Sequence, residues 1–311
     1  MNPNPHSQTA PSTDETASAI SIILITYNRE ADIRKSLTAL RGHVPDLVEI
    51  LVIDNASTDG TSAVLREFEE RMPGLRCIRA DRNLGVAGGR NLGIQKATGE
   101  ILVFLDDDAE FLSAQPLEKI SARFHADATL GAMAFKIVNG EGGIRANEFP
   151  HWNKKLPPNE GFETSYFVGA GHALRKSALQ GGLYPEEFFF SQEELFLSYL
   201  LIESGYRIVY DPEICVLHWQ SGAGRLVNKR KWFLLLRNTL LTNHRFLPAF
   251  FRWLSVPVWA LKIFVRCPDA RMVAGAVAEF LKMRREPQFA ARPLSATAFA
   301  RIRRYGGRIW W

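Results

Sequence analysis

Groups of acidic, amide and hydroxyl side chains follow the apolar segments in the first third of this sequence, at the point where each segment ends. Asp106, Asp107 and Asp108 come directly after the apolar run 101–105, and clustered carboxylates suit Mg²⁺ or Mn²⁺. The other groups are Thr26, Tyr27 and Asn28, then residues 54–59, and then Arg82 and Asn83. Any one group is typical of a loop or a helix cap. Four groups in phase with successive apolar runs indicate a shared binding site.

The apolar runs have the character of strands that are buried on both faces of a sheet. Residues 20–25, 48–53 and 100–105 are short and apolar without regular polar alternation, which is typical of central parallel strands. The stretches between them predict helices. Alternating strands and helices predict an α/β fold whose ligands collect beyond the carboxyl ends of the strands.

The composition separates an acidic body from a basic C-terminal region. The 311 residues are 46% hydrophobic and carry a net charge of +5, but the net charge is −10 for residues 1–222 and +15 for residues 223–311. The hydrophobic content excludes a wholly disordered chain, and three scattered cysteines favour a reducing compartment. Residues 1–19 are rich in Pro, Ser and Thr and lack a signal-peptide pattern, so they predict a disordered leader.

Four segments, in this order, resemble glycosyltransferase family 2, whose members have the GT-A fold. They are Ser21 to Arg29 (SIILITYNR), Ile53 to Thr61 (IDNASTDGT), Asn83 to Asn91 (NLGVAGGRN) and Leu105 to Asp108 (LDDD). The resemblance is to a rhamnosyltransferase-like, membrane-associated bacterial type. It implies a Rossmann-like α/β catalytic domain at 20–222, with a mostly parallel central sheet flanked by helices. Its nucleotide-sugar-binding half is 20–110 and its acceptor half 111–222, followed by a basic amphipathic helical extension at 223–311.

The resemblance assigns donor binding to the first half of this domain. Asp54 is implied to accept a hydrogen bond from the ring N–H of uracil or thymine, with residues 26–28 framing the base and ribose. The alternative for Asp54 is a cap on the following helix. Asn83 and Gly85 belong to the third motif, whose glycines let the chain approach a ligand closely, and Arg90 carries a charge that suits phosphate or ribose oxygens. The glycine spacing does not match a dinucleotide fingerprint.

The aspartate run and a distant histidine are implied to form a metal site. The resemblance assigns Asp108 to Mg²⁺ or Mn²⁺ and Asp106 to the ribose or the metal, and it leaves Asp107 without a role. His218 is implied to complete the metal or diphosphate site, although a single histidine is often only structural. Trp219 either stacks on the sugar or covers the core. A divalent ion at such a site neutralises the charge of a departing diphosphate.

Glu194 is implied to be the catalytic base. In the segment FFFSQEELFL it takes the place of the family's catalytic Asp, while Phe196 replaces a later acidic residue. Inversion needs a base opposite the leaving group to take the acceptor's proton. The alternatives are that Glu193 is the base, or that both are carboxylates at a helix N-terminus. Gly169 is implied to leave room for the sugar and the acceptor.

Two C-terminal stretches, 229–241 and 246–265, combine cations with broad apolar faces. Basic side chains and two prolines make the second a poor membrane-spanning helix. We therefore expect helices that lie on an anionic membrane surface, with Trp253, Trp259 and Phe264 at the acyl boundary. Alternatively, the helices pack on the body or on another copy of the chain.

These features together predict an inverting, metal-dependent hexosyl- or rhamnosyltransferase. It moves a sugar from a UDP- or dTDP-linked donor to a saccharide acceptor, most simply a lipid-linked one. Its expected location is cytoplasmic, peripheral on the inner face of the cell membrane. No nucleic-acid partner is expected, and the sequence does not determine the oligomeric state. The alternative is a catalytically silent nucleotide-sugar-binding or membrane scaffold protein, which the residues at 194 and 196 favour.

Overall fold

A computed structural model describes residues 20–45, 48–222 and 228–307. The strands are β1 (Ile20–Thr26), β2 (Glu49–Asp54), β3 (Leu75–Arg79), β4 (Ile101–Asp106), β5 (Ala109–Phe111), β6 (Leu130–Val138), β7 (Phe162–Thr164), β8 (Gly171–Arg175) and β9 (Arg207–His218). The helices are α1 (Glu30–Arg41), α2 (Thr61–Arg71), α3 (Gly85–Lys96), α4 (Pro116–Ala126), α5 (Glu193–Glu203), α6 (Asn228–Phe246), α7 (Ala249–Arg266), α8 (Ala270–Met283) and α9 (Ala296–Arg304). Two short 3₁₀ helices span Lys176–Gly181 and Glu186–Phe188. The predicted leader, residues 1–19, lies outside the described residues.

The strands form one sheet in the order β3-β2-β1-β4-β8-β6-β9-β5, and β7 pairs with β9. The strands β1 to β4 are parallel to one another. In the second half, β8 runs antiparallel to β4 and β6, whereas β9 runs parallel to β6. The predicted α/β class is therefore confirmed, with the parallel strands concentrated in the first half.

The sheet is covered on both faces. Ile22 and Leu24 of β1 belong to the same apolar cluster as Leu37 of α1, whereas Ile23 belongs to the opposite cluster with Ile94 of α3. Because both faces are buried, the strand carries apolar residues at successive positions instead of alternating ones. This is the physical reason for the apolar runs in the sequence.

The first C-terminal helix, α6, packs into the body of the protein. Leu234, Leu236, Leu240 and Leu241 are buried, so this stretch, expected on a membrane surface, is covered by the chain itself. The Phe246 ring contacts Phe196 of α5 at a centroid distance of 4.8 Å. Phe196 therefore departs from the family's acidic residue at a position that packs against the C-terminal helices. None of the helices in the described ranges has the length and hydropathy that a membrane span needs.

His244, near the end of α6, makes stability depend on pH. It is buried beside Arg252 and Arg284, and burial together with these two charges lowers its pKa to about 4. Its unfolded value is about 6.5, so the unfolded chain binds more protons below that pH and stability falls as the pH drops from 6.5 towards 4. We expect a loss of roughly 2 kcal/mol from this group between pH 7.5 and pH 5. Urea unfolding of wild type and His244→Phe at both values tests this, because the variant should lose less stability; equal losses would contradict it.

Candidate active site

The ends of the central strands bring predicted polar residues to one edge of the sheet. Thr26 of β1 is the register partner of Asp54 of β2, and Ile25 is the partner of Asp106 of β4. The side chains that end β1, β2 and β4 therefore lie next to one another. In α/β sheets, this edge is where ligands bind.

Asp106, Asp108 and His218 form a group that we call the metal cluster. One ligand atom from each side chain lies within 4.8 Å of the other two. The His218 Nε2 atom is 3.1 Å from Asp108 Oδ1 and 3.8 Å from Asp106 Oδ2. Asp108 and His218 are buried, whereas 37% of the Asp106 side chain is exposed. Two carboxylates and an imidazole with one solvent-facing member fit a divalent ion such as Mn²⁺ or Mg²⁺.

Strand pairing explains how distant residues meet in the metal cluster. Strand β5 pairs antiparallel with β9, and the register sets Ala109 opposite His218. Asp108 immediately precedes Ala109 and so lies beside the histidine. The Ser221 N–H donates to Asp108 Oδ2 at 2.8 Å, and Arg29 Nη1 lies 2.8 Å from the same oxygen. The fold itself therefore fixes Asp108 and His218 relative to each other.

Glu148 orients the His218 ring, and no pattern in the sequence marks it. The residue is 2% exposed. Its Oε1 atom lies 2.6 Å from His218 Nδ1 and accepts a hydrogen bond from Gln220 Nε2 at 2.8 Å. Arg145 Nη1 contacts Glu148 Oε2 at 3.1 Å. A carboxylate behind a metal-binding histidine fixes the ring and raises its basicity as a ligand.

The metal cluster binds a proton that a cation can replace. Burial opposes a charge on His218, but hydrogen bonds with Asp108 and Glu148 raise its pKa to about 10. Burial also opposes a charge on Asp108, but the His218 hydrogen bond and the Arg29 charge lower its pKa to about 2. At neutral pH the two groups are therefore an imidazolium and a carboxylate. A divalent ion held by the same lone pairs would displace the proton.

Asp107 differs from its two neighbours. Its Oδ1 atom accepts a hydrogen bond from Arg29 Nη1 at 2.8 Å. Burial raises the pKa of Asp107 to about 7, although the Arg29 charge opposes this. Asp107 is thus engaged with Arg29, and its carboxylate is not part of the metal cluster.

Glu193 and Glu194, which we call the carboxylate pair, begin α5 and face Arg90 of α3. The buried Arg90 Nη1 lies 2.9 Å from Glu194 Oε1 and 3.5 Å from Glu193 Oε1, and its Nη2 lies 3.8 Å from Asp106 Oδ1. Arg90 therefore connects the pair to the metal cluster. The side chain of Glu194 is 20% exposed, against 3% for Glu193. Burial and the Glu194 charge raise the pKa of Glu193 to about 8, against the pull of Arg90, so Glu194 is the carboxylate that solvent reaches.

Gly169 leaves the space that the Arg90–Glu194 ion pair occupies. A Cβ atom at position 169 would lie 2.2 Å from Glu194 Oε1 and 2.6 Å from Arg90 Nη2. The Gly169 carbonyl also accepts a hydrogen bond from Arg90 Nη2 at 3.3 Å. The missing side chain thus makes room for this ion pair, and the room for sugar and acceptor expected at Gly169 stays a prediction.

The sequence that carries this site matches the model of a known protein family. The model described as glycosyl transferase family 2 matches residues 21–183, just over half of the chain. The matched region contains Asp106, Asp108, Arg90 and Gly169. The chain belongs to glycosyl transferase family 2. The rhamnosyltransferase-like type is a finer assignment and stays a prediction.

Two sequence relatives cover different shares of this glycosyltransferase. An uncharacterized protein of Haemophilus influenzae is 35% identical over 164 residues, which is 51% of this chain and 89% of that protein. Glycosyltransferase AglE of Haloferax volcanii is 36% identical over 91 residues, which is 29% of this chain and 30% of AglE. The chain thus matches less than a third of AglE.

Solved structures confirm the GT-A fold. GalNAc-T7 with UDP, GalNAc and Mn²⁺ is similar with a TM-score of 0.61 and 17% identity, over 88% of this chain and 59% of that one. The mannosyltransferase PcManGT of Pyrobaculum calidifontis, in complex with GDP-Man and Mn²⁺, has a TM-score of 0.57 and 20% identity, over 92% and 79%. TarS 1-349 of S. aureus with UDP-GlcNAc has a TM-score of 0.59 and 18% identity, over 85% and 80%.

Asp54, predicted to contact the base, is held by the glycosyltransferase itself. It is fully buried, and its oxygens accept hydrogen bonds from the Ser57 N–H at 2.8 Å and the Ser62 hydroxyl at 2.6 Å. Arg79, half exposed, contacts Oδ2. Burial opposes ionisation of Asp54, but these partners lower its pKa. The two serine partners are a loop N–H and a side-chain hydroxyl, and no side-chain cap is found at the start of α2, so the structure does not support the capping alternative; the contact with a base stays a prediction.

The loop after β1 is tied to the loop after β2. Asn28 has a positive φ of 52°. Its N–H donates to Ser57 Oγ at 3.0 Å, and its Oδ1 accepts from the Thr58 N–H at 2.7 Å. Thr26 is buried and Tyr27 is half-buried. These bonds leave the backbone of 26–28 in a fixed conformation beside Asp54.

Gly85 serves a close contact within the protein. The residue has φ +71°, and a Cβ atom there would lie 2.4 Å from the Phe189 carbonyl oxygen. The Asn83 side chain accepts from the Gly85 N–H at 2.9 Å and so closes the turn into α3. The close approach expected of a ligand is thus made by Phe189, and ligand contact at Asn83 and Gly85 stays a prediction.

Trp219 packs against α1. Its Nε1–H donates to Asp32 Oδ1 at 3.0 Å, and Lys35 Nζ lies 3.8 Å from the ring centroid. Both contacts are with polar side chains of α1, so covering the core stays a prediction. Stacking on a sugar also stays a prediction.

Replacing Gly169 by alanine should disturb the site while leaving the stability of the fold nearly unchanged. The added methyl displaces the flexible ends of Glu194 and Arg90 and leaves the backbone in place, so we expect the melting temperature to change little. Transfer should fall by roughly 100-fold, because displacements of about 1 Å in a catalytic group have effects of this size. Gly140→Ala is the matched control, since nothing lies within 4 Å of a Cβ atom there. Unchanged transfer in Gly169→Ala would contradict this role.

Proposed function

We propose that this protein is an inverting, metal-dependent glycosyltransferase that uses a nucleotide-sugar donor. The observation that carries the proposal is that Arg90 contacts both Asp106 of the metal cluster and Glu194 of the carboxylate pair. A transferase that inverts needs charge compensation at the leaving diphosphate and a base on the opposite side of the sugar. The two groups would supply these two functions within one site.

Each residue has a distinct part in this reaction. Asp106, Asp108 and His218 would hold Mn²⁺ or Mg²⁺, which neutralises charge on the diphosphate when bound. Glu194 accepts the proton of the acceptor hydroxyl through its exposed carboxylate. Arg90 orients Glu194 by their 2.9 Å contact, and burial with the Glu194 charge raises the pKa of Glu193, which favours its protonated form.

The donor base is proposed to be a pyrimidine. The support is Asp54 at the end of β2 together with the UDP and UDP-GlcNAc bound to GalNAc-T7 and TarS. PcManGT is in complex with GDP-Man, so a guanine nucleotide must be compared with the pyrimidine nucleotides. For a base to reach the Asp54 carboxylate, the half-exposed Arg79 must move aside, because it now contacts Oδ2.

A thermal-shift screen tests the donor. A ligand that binds only the folded state raises its apparent stability. We expect UDP- or dTDP-sugars with Mn²⁺ to raise the melting temperature by several degrees, and GDP- and ADP-sugars to raise it less. A larger shift with a GDP-sugar would contradict the pyrimidine assignment. No shift with any donor would favour the alternative of a membrane scaffold protein.

We also propose that α7 rests on an anionic membrane surface, which brings the site to a lipid-linked saccharide acceptor. Six exposed apolar side chains share one face of α7 at helical spacing: Phe250, Trp253, Leu254, Leu261, Phe264 and Val265. The exposed fractions of Phe250 and Val265 are 71% and 74%. Exposed cations occur at the end of α7 and in the segment that follows it: Arg266, Arg271, Lys282 and Arg285. An exposed apolar face in a basic region suits acidic head groups. Such a location would be peripheral, on the cytoplasmic face of the cell membrane.

Vesicle flotation tests the membrane proposal. We expect the full chain to float with vesicles that contain phosphatidylglycerol and less with phosphatidylcholine alone. The double variant Phe250→Ser/Leu261→Ser should float at least about tenfold less, because each buried apolar side chain contributes roughly 1.5–3 kcal/mol. Leu112→Ser is the matched control, since Leu112 is 52% exposed and lies on the catalytic body. Equal flotation of all variants, or a dimer that dissociates in the double variant, would contradict the proposal.

A further inference from the structure

The loop of residues 188–192, which leads into the carboxylate pair, has an unusual backbone. Phe189, Ser191 and Gln192 have positive φ values of 60°, 74° and 73°. For residues other than glycine this conformation costs about 1–2 kcal/mol each. Such a loop persists only where its surroundings hold it, and it ends at Glu193. Whatever holds this loop therefore also positions Glu194.

Asn238 of α6 makes three contacts with this loop. Its Nδ2 atom lies 3.0, 2.9 and 2.8 Å from the carbonyl oxygens of Phe188, Phe190 and Ser191. The two N–H bonds of the carboxamide serve these three acceptors, so one N–H is shared between two of them. Asn238 is fully buried, so bulk solvent does not compete with its carboxamide for these carbonyls. One side chain from the C-terminal region thus satisfies the strained loop along most of its length.

Arg237 supports the same loop and fixes the Asn238 side chain. Its Nε donates to Asn238 Oδ1 at 2.9 Å, which orients the carboxamide with its NH₂ group towards the loop. Its Nη2 donates to the Glu187 carbonyl at 2.5 Å, and its Nη1 contacts Glu279 of α8 at 2.5 Å. The guanidinium therefore connects two C-terminal helices to the segment before the carboxylate pair.

The loop also contacts the helix that carries Arg90. The Phe189 carbonyl accepts from the Val86 N–H at 2.6 Å, and Gly85 makes room for Phe189. The same five residues thus link α6, the start of α3 and the start of α5. Arg90 and Glu194, the two ends of the ion pair, are on these last two helices.

We propose that Asn238 and Arg237 are positioning residues for the carboxylate pair, acting through the backbone of residues 188–192. The catalytic part of this inference rests on the proposed function, whereas the contacts between α6 and residues 188–192 do not depend on it. It makes α6 part of the catalytic unit, although its residues lie beyond the sequence segment that carries the family motifs.

Asn238→Ala tests the proposal, with Thr242→Val as the matched control. Thr242 is buried one turn further along α6, and its hydroxyl donates to the Asn238 carbonyl of the same helix. We expect Asn238→Ala to lower kcat by about 30-fold or more while the KM for the donor stays within about threefold. Thr242→Val should leave kcat within about threefold even where it lowers the melting temperature. Equal kcat losses in both variants would overturn the proposal.

Hydrogen–deuterium exchange provides a readout that needs no activity. In Asn238→Ala, the amides of residues 188–194 should exchange at least about tenfold faster than in wild type, and those in Thr242→Val should not. Unchanged exchange in Asn238→Ala would overturn the proposal even where transfer is affected. Arg237→Met leaves Asn238 in place but removes the hydrogen bond that orients its carboxamide. It should lower kcat and speed up amide exchange in the same way. This variant replaces Asn238→Ala if the latter does not fold. If wild type shows no sugar transfer but Asn238→Ala still exchanges faster than wild type at residues 188–194, only the proposed function is contradicted.

Discussion

Replacing Glu194 by glutamine should reduce sugar transfer by about 100- to 10,000-fold, the usual effect of losing a general base. The amide keeps the size of the side chain and a hydrogen-bonding oxygen, but it cannot take the acceptor's proton. Donor binding should persist, because Glu194 contacts Arg90 and lies outside the metal cluster. Initial rates with a saturating donor, together with the donor-induced thermal shift, measure the two effects separately.

Glu193→Gln is the control for this substitution. Glu193 is buried and has a raised pKa, so the neutral amide mimics the protonated form that burial favours. We expect less than about tenfold loss of transfer, in keeping with a residue that transfers no proton. Undiminished transfer in Glu194→Gln would remove its assignment as the base. A larger loss in Glu193→Gln than in Glu194→Gln would move the assignment to Glu193.

Asp108→Asn and His218→Ala should each lower transfer by about 100-fold or more and remove its response to Mn²⁺. Each substitution removes one of the three side chains of the metal cluster, and a bound ion is worth several kcal/mol of charge stabilisation at the leaving group. Transfer rates across a Mn²⁺ titration, with and without chelator, measure the effect. Binding of Mn²⁺ to the protein alone, followed by electron paramagnetic resonance, gives a second readout without donor.

Glu148→Gln is a milder change at the same site and should have a smaller effect. The amide can still contact His218 Nδ1 but no longer carries the charge that raises the basicity of the ring. Loss of such a partner weakens metal binding by about 10- to 100-fold, so high Mn²⁺ should restore transfer in Glu148→Gln. Full Mn²⁺ dependence in Asp108→Asn, or none in wild type, would contradict the metal site.

The first half of the fold was predictable because its signals are local. Strands β1, β2 and β4 are buried on both faces, so a largely apolar run marks each of them, as at 20–25. Asp106 and Asp108 follow such a run directly. The distant His218 was found through the resemblance, and the β5–β9 register shows why it reaches Asp108.

The residues that sequence reasoning missed act across long separations. Glu148 lies 70 positions from His218, and Asn238 lies about 50 from the loop carbonyls that it contacts. Neither has a local pattern, since a single buried polar residue in a loop or a helix gives no periodic signal. A buried Arg-Asn pair within an apolar helix was the available hint, because charged and amide groups are rarely buried unless they are paired.

Three motif residues have internal contacts that the sequence did not predict. Gly85 and Gly169 make room for Phe189 and for the Arg90–Glu194 ion pair, and Arg90 contacts carboxylates of the protein. The Arg90–Glu194 and Arg90–Gly169 contacts join residues about 80 to 100 positions apart, so no local pattern reveals them. The ligand roles predicted for these residues stay predictions.

Release of nucleotide from a panel of sugar donors, measured with and without Mn²⁺, tests the proposed activity most directly. We predict Mn²⁺-dependent release of UDP or dTDP from one pyrimidine donor in the presence of a lipid-linked saccharide extract. The release should be lost in Glu194→Gln and in Asp108→Asn. Binding of a donor without any nucleotide release, in wild type and variants alike, would contradict the activity and would identify a nucleotide-sugar-binding protein instead.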